Sequence, residues 1–120
     1  MAIKESKSVL NIKKAIKANG GYIEKIGGGG FQAEGIPDLI ACIDGRFYGI
    51  EGKVGKNEPS PIQIIKLRNI VKAGGRGIFV WDGCELSEHQ KAKMMAETAH
   101  GIEVYFTSQQ MLENILNKNT

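Results

Sequence analysis

The chain has 120 residues, 42% hydrophobic and 24% charged, with a formal net charge of +3. That suits one globular domain with a real core, and the mild positive charge permits a nucleic-acid partner without demanding one. No apolar run reaches the roughly 18 residues of a membrane span, and the polar, basic start is not a signal peptide, so an intracellular protein is expected.

Residues 5–19 carry Val9, Ile12 and Ile16 at helical spacing, and Gly20-Gly21 supply a stop. Tyr22 to Ile26 reads as a short strand, and Gly27 to Gly30 as a loop. Two apolar runs, 38–43 and 46–54, are joined by Asp44-Gly45, a strong hairpin signal. A polar loop containing Lys56, Asn57 and Pro59 follows. Ser60-Pro61-Ile62-Gln63 opens a helix, with Ser60 as N-cap, Pro61 in the first helical position and Gln63 completing a capping box. Ile64, Leu67, Ile70 and Val71 form its apolar stripe, and Gly74-Gly75 end it. Ile78 to Trp81 reads as a buried strand. Ser87-Glu88-His89-Gln90 is a second capping box, opening a helix that ends near His100-Gly101. Ile102 to Phe106 is a strand, and Thr107 to Gln110 cap a last helix. The order αβββαβαβα predicts an α/β protein: a single domain over 1–120, with a mixed central β-sheet flanked by helices.

The hairpin carries the chemistry. A two-residue turn at Asp44-Gly45 places Asp38 directly opposite Glu51, and Lys53 points to the same face as Glu51 because strand side chains alternate. Facing Cβ atoms lie roughly 4.5–5.5 Å apart, where like charges are destabilising. A divalent cation between the carboxylates resolves the conflict, since Asp and Glu oxygens are the hard ligands that Mg²⁺ and Mn²⁺ prefer. The plainer alternative is a cross-strand ion pair between Asp38 and Lys53 on a solvated face. Cys42 and Cys84 form no CxxC pair and no disulfide is expected; Cys42, in an apolar run, reads as a small buried hydrophobe. His89 and His100 lack partners at ligand spacing and read as solvated. Lys4, Lys7, Lys13, Lys14 and Lys17 make the first helix basic, either a solvated face or one that tracks phosphates.

Gly35-Ile36-Pro37-Asp38-Leu39-Ile40, Gly49-Ile50-Glu51-Gly52-Lys53, Ser60-Pro61-Ile62-Gln63 and Ala73-Gly74-Gly75, in this order on these elements, resemble the PD-(D/E)xK nuclease superfamily and, more narrowly, a stand-alone VRR-NUC domain. The resemblance covers about residues 5–82, with Glu5 at a further family position. Position 52 is glycine where relatives often carry an apolar residue, and Gly75-Arg76-Gly77 is the nearest approach to the Val-Arg-Arg of the family name.

The resemblance implies a restriction-endonuclease-like αβββαβ core with additional C-terminal elements, and a DNA endonuclease dependent on Mg²⁺ or Mn²⁺. Asp38, Glu51 and the Gly52 carbonyl would hold the metal, with Glu5 touching it through water. Lys53 would orient or deprotonate the attacking water. Gln63 would bond the water or the phosphate, beside free N–H groups at its helix start. The alternative readings are that Gln63 serves the capping box alone and Glu5 the helix dipole alone. The four glycines are either a slack connection or a point of close approach to DNA. Stand-alone relatives act on branched DNA, including four-way junctions, as homodimers. The likeliest source of a dimer contact is Ser87 to Thr120, whose last helix bears Met111, Leu112, Ile115 and Leu116; alternatively that stripe only packs on the sheet. A virus or mobile element would suit so short a nuclease. The competing readings are a nucleic-acid-binding module with a vestigial site and a nuclease acting on RNA.

Overall fold

The computed structural model describes residues 6–26 and 34–116. The elements follow the expected order: α1 (Lys7–Ala18), β1 (Tyr22–Lys25), β2 (Leu39–Ile43), β3 (Arg46–Val54), α2 (Pro61–Lys72), β4 (Arg76–Asp82), α3 (Glu88–Met95), β5 (Glu103–Tyr105) and α4 (Ser108–Leu116). The helix begun by α3 tightens into a 3-10 segment, Ala96–His100, before Gly101 reverses the chain at φ 83°. Glu5 and the loop Gly27–Gly30 lie outside the described residues.

The strands form one sheet in the order β1-β2-β3-β4-β5. The first three are antiparallel; β3, β4 and β5 are parallel, joined by the crossovers through α2 and α3. Asp44 (φ 51°) and Gly45 (φ 79°) both adopt positive φ, as a two-residue type I′ hairpin requires. That turn sets the register Leu39↔Ile50, Ala41↔Tyr48 and Ile43↔Arg46, the one expected from sequence. Interior strand β4 is covered on both faces, and Gly77 through Trp81 are buried.

Helices α1 and α4 cover one face, burying Ile12, Ile16, Met111 and Ile115 against Ile23, Leu39, Ile50 and Val80. Helices α2 and α3 cover the other, where Leu67 and Met94 meet Phe79 and Trp81. Gly77 permits the close seat of α2: a Cβ there would lie 2.8 Å from the Leu67 carbonyl oxygen.

One expectation is corrected and one alternative is decided. Cys42 is exposed, not buried. It stands in a cross-strand row with Tyr22 and Phe47, which are 60% and 46% exposed, beyond the part of the sheet around Gly49 that α2 covers. Of the two readings of the α4 stripe, packing on the sheet holds: Met111 and Ile115 are buried, with Leu112 and Leu116 packed beside them. No helix among the described residues is long and apolar enough to cross a membrane.

Candidate active site

The β2–β3 ladder ends at Leu39↔Ile50, whereas β3 continues to Val54 paired with β4 alone. The sheet therefore opens beside Glu51, Gly52 and Lys53. Asp38 immediately precedes β2, and its carbonyl accepts a hydrogen bond from the Ile26 N–H at 2.7 Å. Continuing the register by one residue brings Asp38 opposite Glu51. Its carboxylate also lies beside Gly52, where a Cβ would sit 3.9 Å from Asp38 Oδ2.

Glu51 is the only charged residue in the buried core among the described residues, 3% exposed. Burial and the adjacent Asp38 carboxylate, reinforced by a hydrogen bond shared with it, push its carboxyl up to about 8; the nearby Lys53 charge opposes the shift only partly. Glu51 Oε2 is buried without a hydrogen-bond partner. A buried acceptor of this kind costs on the order of 1–3 kcal/mol unless something satisfies it.

Lys53 does not form the alternative cross-strand ion pair with Asp38 among the described residues. Its Nζ donates to Gln63 Oε1 at 2.7 Å, and the same oxygen accepts the Ser60 N–H at 2.9 Å. Ser60 Oγ in turn accepts the Gln63 N–H, completing the capping box. The preceding loop is anchored by Trp81, whose Nε1 donates to the Asn57 carbonyl at 2.9 Å. Glu58 is tied to α3 by Gln90 and Lys93. The first turn of α2 is thus fixed against the sheet, and with it the lysine.

The donor set suits a hard divalent cation. The unsatisfied Glu51 oxygen, the facing Asp38 carboxylate and the intervening Gly52 carbonyl are all oxygen ligands. Among the described residues no cluster of three or more His, Cys, Asp or Glu side chains forms around a possible metal, so a protein site here depends on the backbone carbonyl for its third ligand. His89 and His100 are exposed and take no part.

Beside Asp38, on the α1 side of the sheet to which Gly52 and Val54 face, is a cleft of about 230 Å³, bounded by the start of α1, the end of β1 and the C-terminal ends of β3 and β4. Lys25 and Asp82 line it together with Asp38, Gly52 and Lys53. Sequence reasoning missed Lys25 and Asp82, because their approach depends on β1 pairing with β2 and β4 with β3. It also missed the network at the opposite end of these strands, where the Arg76 guanidinium donates to both Glu103 carboxylate oxygens and to Tyr48 Oη, and Tyr105 Oη donates to Glu103. Arg76 is thereby committed away from the candidate site.

This is a restriction-endonuclease-like α/β fold. Among solved structures it is similar to a Holliday junction resolvase, Hjc, from the archaeal hyperthermophile Archaeoglobus fulgidus: TM-score 0.51, 15% identity, with 69% of this chain and 71% of that chain covered. No protein-family model matches the chain, and no curated protein matches it in sequence.

Proposed function

We propose that this chain is a divalent-metal-dependent DNA endonuclease of the PD-(D/E)xK type, a single VRR-NUC-like nuclease domain acting on branched DNA such as four-way junctions as a homodimer. The observation that carries the reading is Glu51: a buried carboxylate with an unsatisfied oxygen, facing Asp38 at the opening of the sheet. A fold similar to that of a junction resolvase supports the choice of substrate.

Asp38, Glu51 and the Gly52 carbonyl would hold Mg²⁺ or Mn²⁺. The bound ion would supply a water of lowered pKa and neutralise charge on the phosphate. Lys53, held by Gln63, places its ammonium beside the carboxylates, where it orients the attacking water and stabilises negative charge developing on the phosphoryl oxygens. Gln63 positions that lysine and closes the start of α2. Glu5 is assigned an outer, water-mediated contact by the family pattern alone.

The test is cleavage of duplex, flap and four-way-junction DNA with Mg²⁺, Mn²⁺ or EDTA. Metal-dependent cutting, strongest on branched DNA, is expected. Tight binding without cutting under every metal condition would replace this reading with that of a nucleic-acid-binding module carrying a vestigial site.

A further inference from the structure

Phosphodiester hydrolysis does not account for the cleft beside Asp38. Its walls are largely apolar, with Val9 from α1 and Val54 from β3 among them. A phosphate and its counterions call for polar walls, because an apolar surface cannot replace their hydration. Gly52 makes the room: a Cβ at that position would meet nothing within 4 Å except Asp38 Oδ2 at 3.9 Å. Val54 is 55% exposed at the end of an interior strand. Besides Asp38 and Lys53, the charged side chains at the cleft are Lys25 and Asp82, neither of which forms an ion pair among the described residues.

An apolar hollow with an unpaired lysine and an unpaired carboxylate complements a nucleotide better than it complements a bare phosphate. The lysine matches the phosphodiester, the valines match the faces of a heterocycle and a sugar, and the carboxylate matches an exocyclic amino group. We propose that the cleft receives one unstacked nucleotide of the bound DNA strand, adjacent to the phosphate at Asp38 and Glu51, with its own phosphate on Lys25 and its base against Val54 and Val9. Unstacking is cheapest where a base is already unpaired, so the cleft favours DNA at a branch point over continuous duplex. The location of the neighbouring phosphate rests on the nuclease reading above; occupation of the cleft is measured without turnover.

Four-way junctions carrying 2-aminopurine at successive positions flanking the branch are titrated with the full chain in EDTA. At one position the wild type should raise fluorescence several-fold, as the base leaves the stack. Gly52→Val, which fills the hollow, and Val54→Asp, which makes its wall polar, should each remove that rise. Lys25→Ala should weaken junction binding roughly tenfold and lower the salt-dependence slope by about one. Circular dichroism identifies any variant that fails to fold; Val54, being exposed, provides the second route if Gly52→Val is lost. The proposal is overturned if no position brightens, if the wild type does not bind the junction, or if folded Val54→Asp brightens the probe as the wild type does. Cleavage with Mg²⁺ and a dark probe would remove the cleft assignment and leave the nuclease reading intact. A bright probe without cleavage under any metal condition would do the reverse.

Discussion

The Lys53 ammonium and Gln63 Oε1 are 2.7 Å apart, and this single oxygen links the end of β3 to the first turn of α2. From sequence, capping and a bond to the attacking water or phosphate are competing roles for Gln63; in the structure one oxygen caps α2 and holds Lys53. Two substitutions separate them. Ser60→Ala removes the acceptor for the Gln63 N–H and should cost about 1 kcal/mol of stability while leaving turnover near wild type. Gln63→Ala should cost a similar amount and also lower kcat severalfold, with KM little changed, because Lys53 loses its anchor. Thermal melts and steady-state cleavage on one DNA substrate check both; equal kcat in the two variants would reduce Gln63 to a cap.

Burial and Asp38 set the sign of the pH dependence. The Glu51 carboxyl rises from 4.5 to about 8 on folding, so the folded state holds a proton that the unfolded state gives up. Its contribution is fully present below pH 4.5 and is lost as pH rises towards about 8. Without metal, stability should decline over that window by an amount on the order of a few kcal/mol. Glu51→Gln should flatten the decline and be the more stable protein at pH 8. Mg²⁺ or Mn²⁺ should raise the wild-type Tm more at pH 8 than at pH 6, since a cation competes with the proton, and should leave Glu51→Gln nearly unmoved. Calorimetric melts across pH, with EDTA and with metal, decide this.

The proposed chemistry divides among three side chains, Asp38, Glu51 and Lys53. Asp38→Ala and Glu51→Ala should each abolish cleavage and remain folded: the first removes the charge that opposes ionisation of Glu51, and the second removes the buried acid itself. Lys53→Ala should lose most turnover yet retain Mn²⁺ binding by titration calorimetry, since the ammonium is not a ligand. Lys53→Arg should restore little: a planar, permanently protonated guanidinium does not reproduce a compact ammonium seated on one amide oxygen. Loss of Mn²⁺ binding in Lys53→Ala, or cleavage retained by either carboxylate variant, would break this division.

Local chemistry made much of this legible. Asp44-Gly45 specified the hairpin register, and with it the opposition of Asp38 and Glu51, because the turn type fixes pairing over a few residues. Ser60-Pro61 with Gln63 specified the start of α2. What failed was whatever depends on coverage. Alternation in β2 gives two faces but not which portion a helix will cover, and α2 leaves Cys42 bare between Tyr22 and Phe47. The α4 stripe announced burial without naming its partner, which is α1 and the sheet. Lys25 and Asp82 reach the cleft through pairings remote in sequence, a relationship no local motif encodes.

Arg76 provides a contrast between stability and activity. Its guanidinium grips both oxygens of the half-buried Glu103, which also accepts from Tyr105, and it lies over the Tyr48 ring with Cζ 4.9 Å from the centroid. Burial raises the Tyr105 hydroxyl above its ordinary range, and the bond to Glu103 adds to the shift. Arg76→Ala strands the carboxylate and should destabilise the fold by about 2–3 kcal/mol, with cleavage per folded molecule unchanged. Arg76→Lys should recover only part of this loss, because an ammonium cannot make the two-pronged contact. Urea unfolding and cleavage at a fixed folded concentration test the pair; a loss of activity beyond the loss of folded protein would tie this end of the sheet to the site.

A symmetric cut across a junction needs two active sites at fixed separation, and each chain carries one candidate site, so a homodimer with an isologous contact is expected. The interior position of Met111 changes which variants bear on it. Met111→Ala should cost about 2–5 kcal/mol of folding stability and leave the assembly mass of the folded protein unchanged. Exposed apolar side chains are better probes of association: Phe47 is 46% exposed and Ile65 52%. Light scattering at micromolar concentration should give a dimer mass for the wild type, and Phe47→Glu or Ile65→Glu should lower it if that residue lies in the contact. A monomer mass for the wild type that persists with junction DNA and Mg²⁺ present would defeat the paired-site mechanism, because a lone site nicks one strand and must dissociate before the second cut.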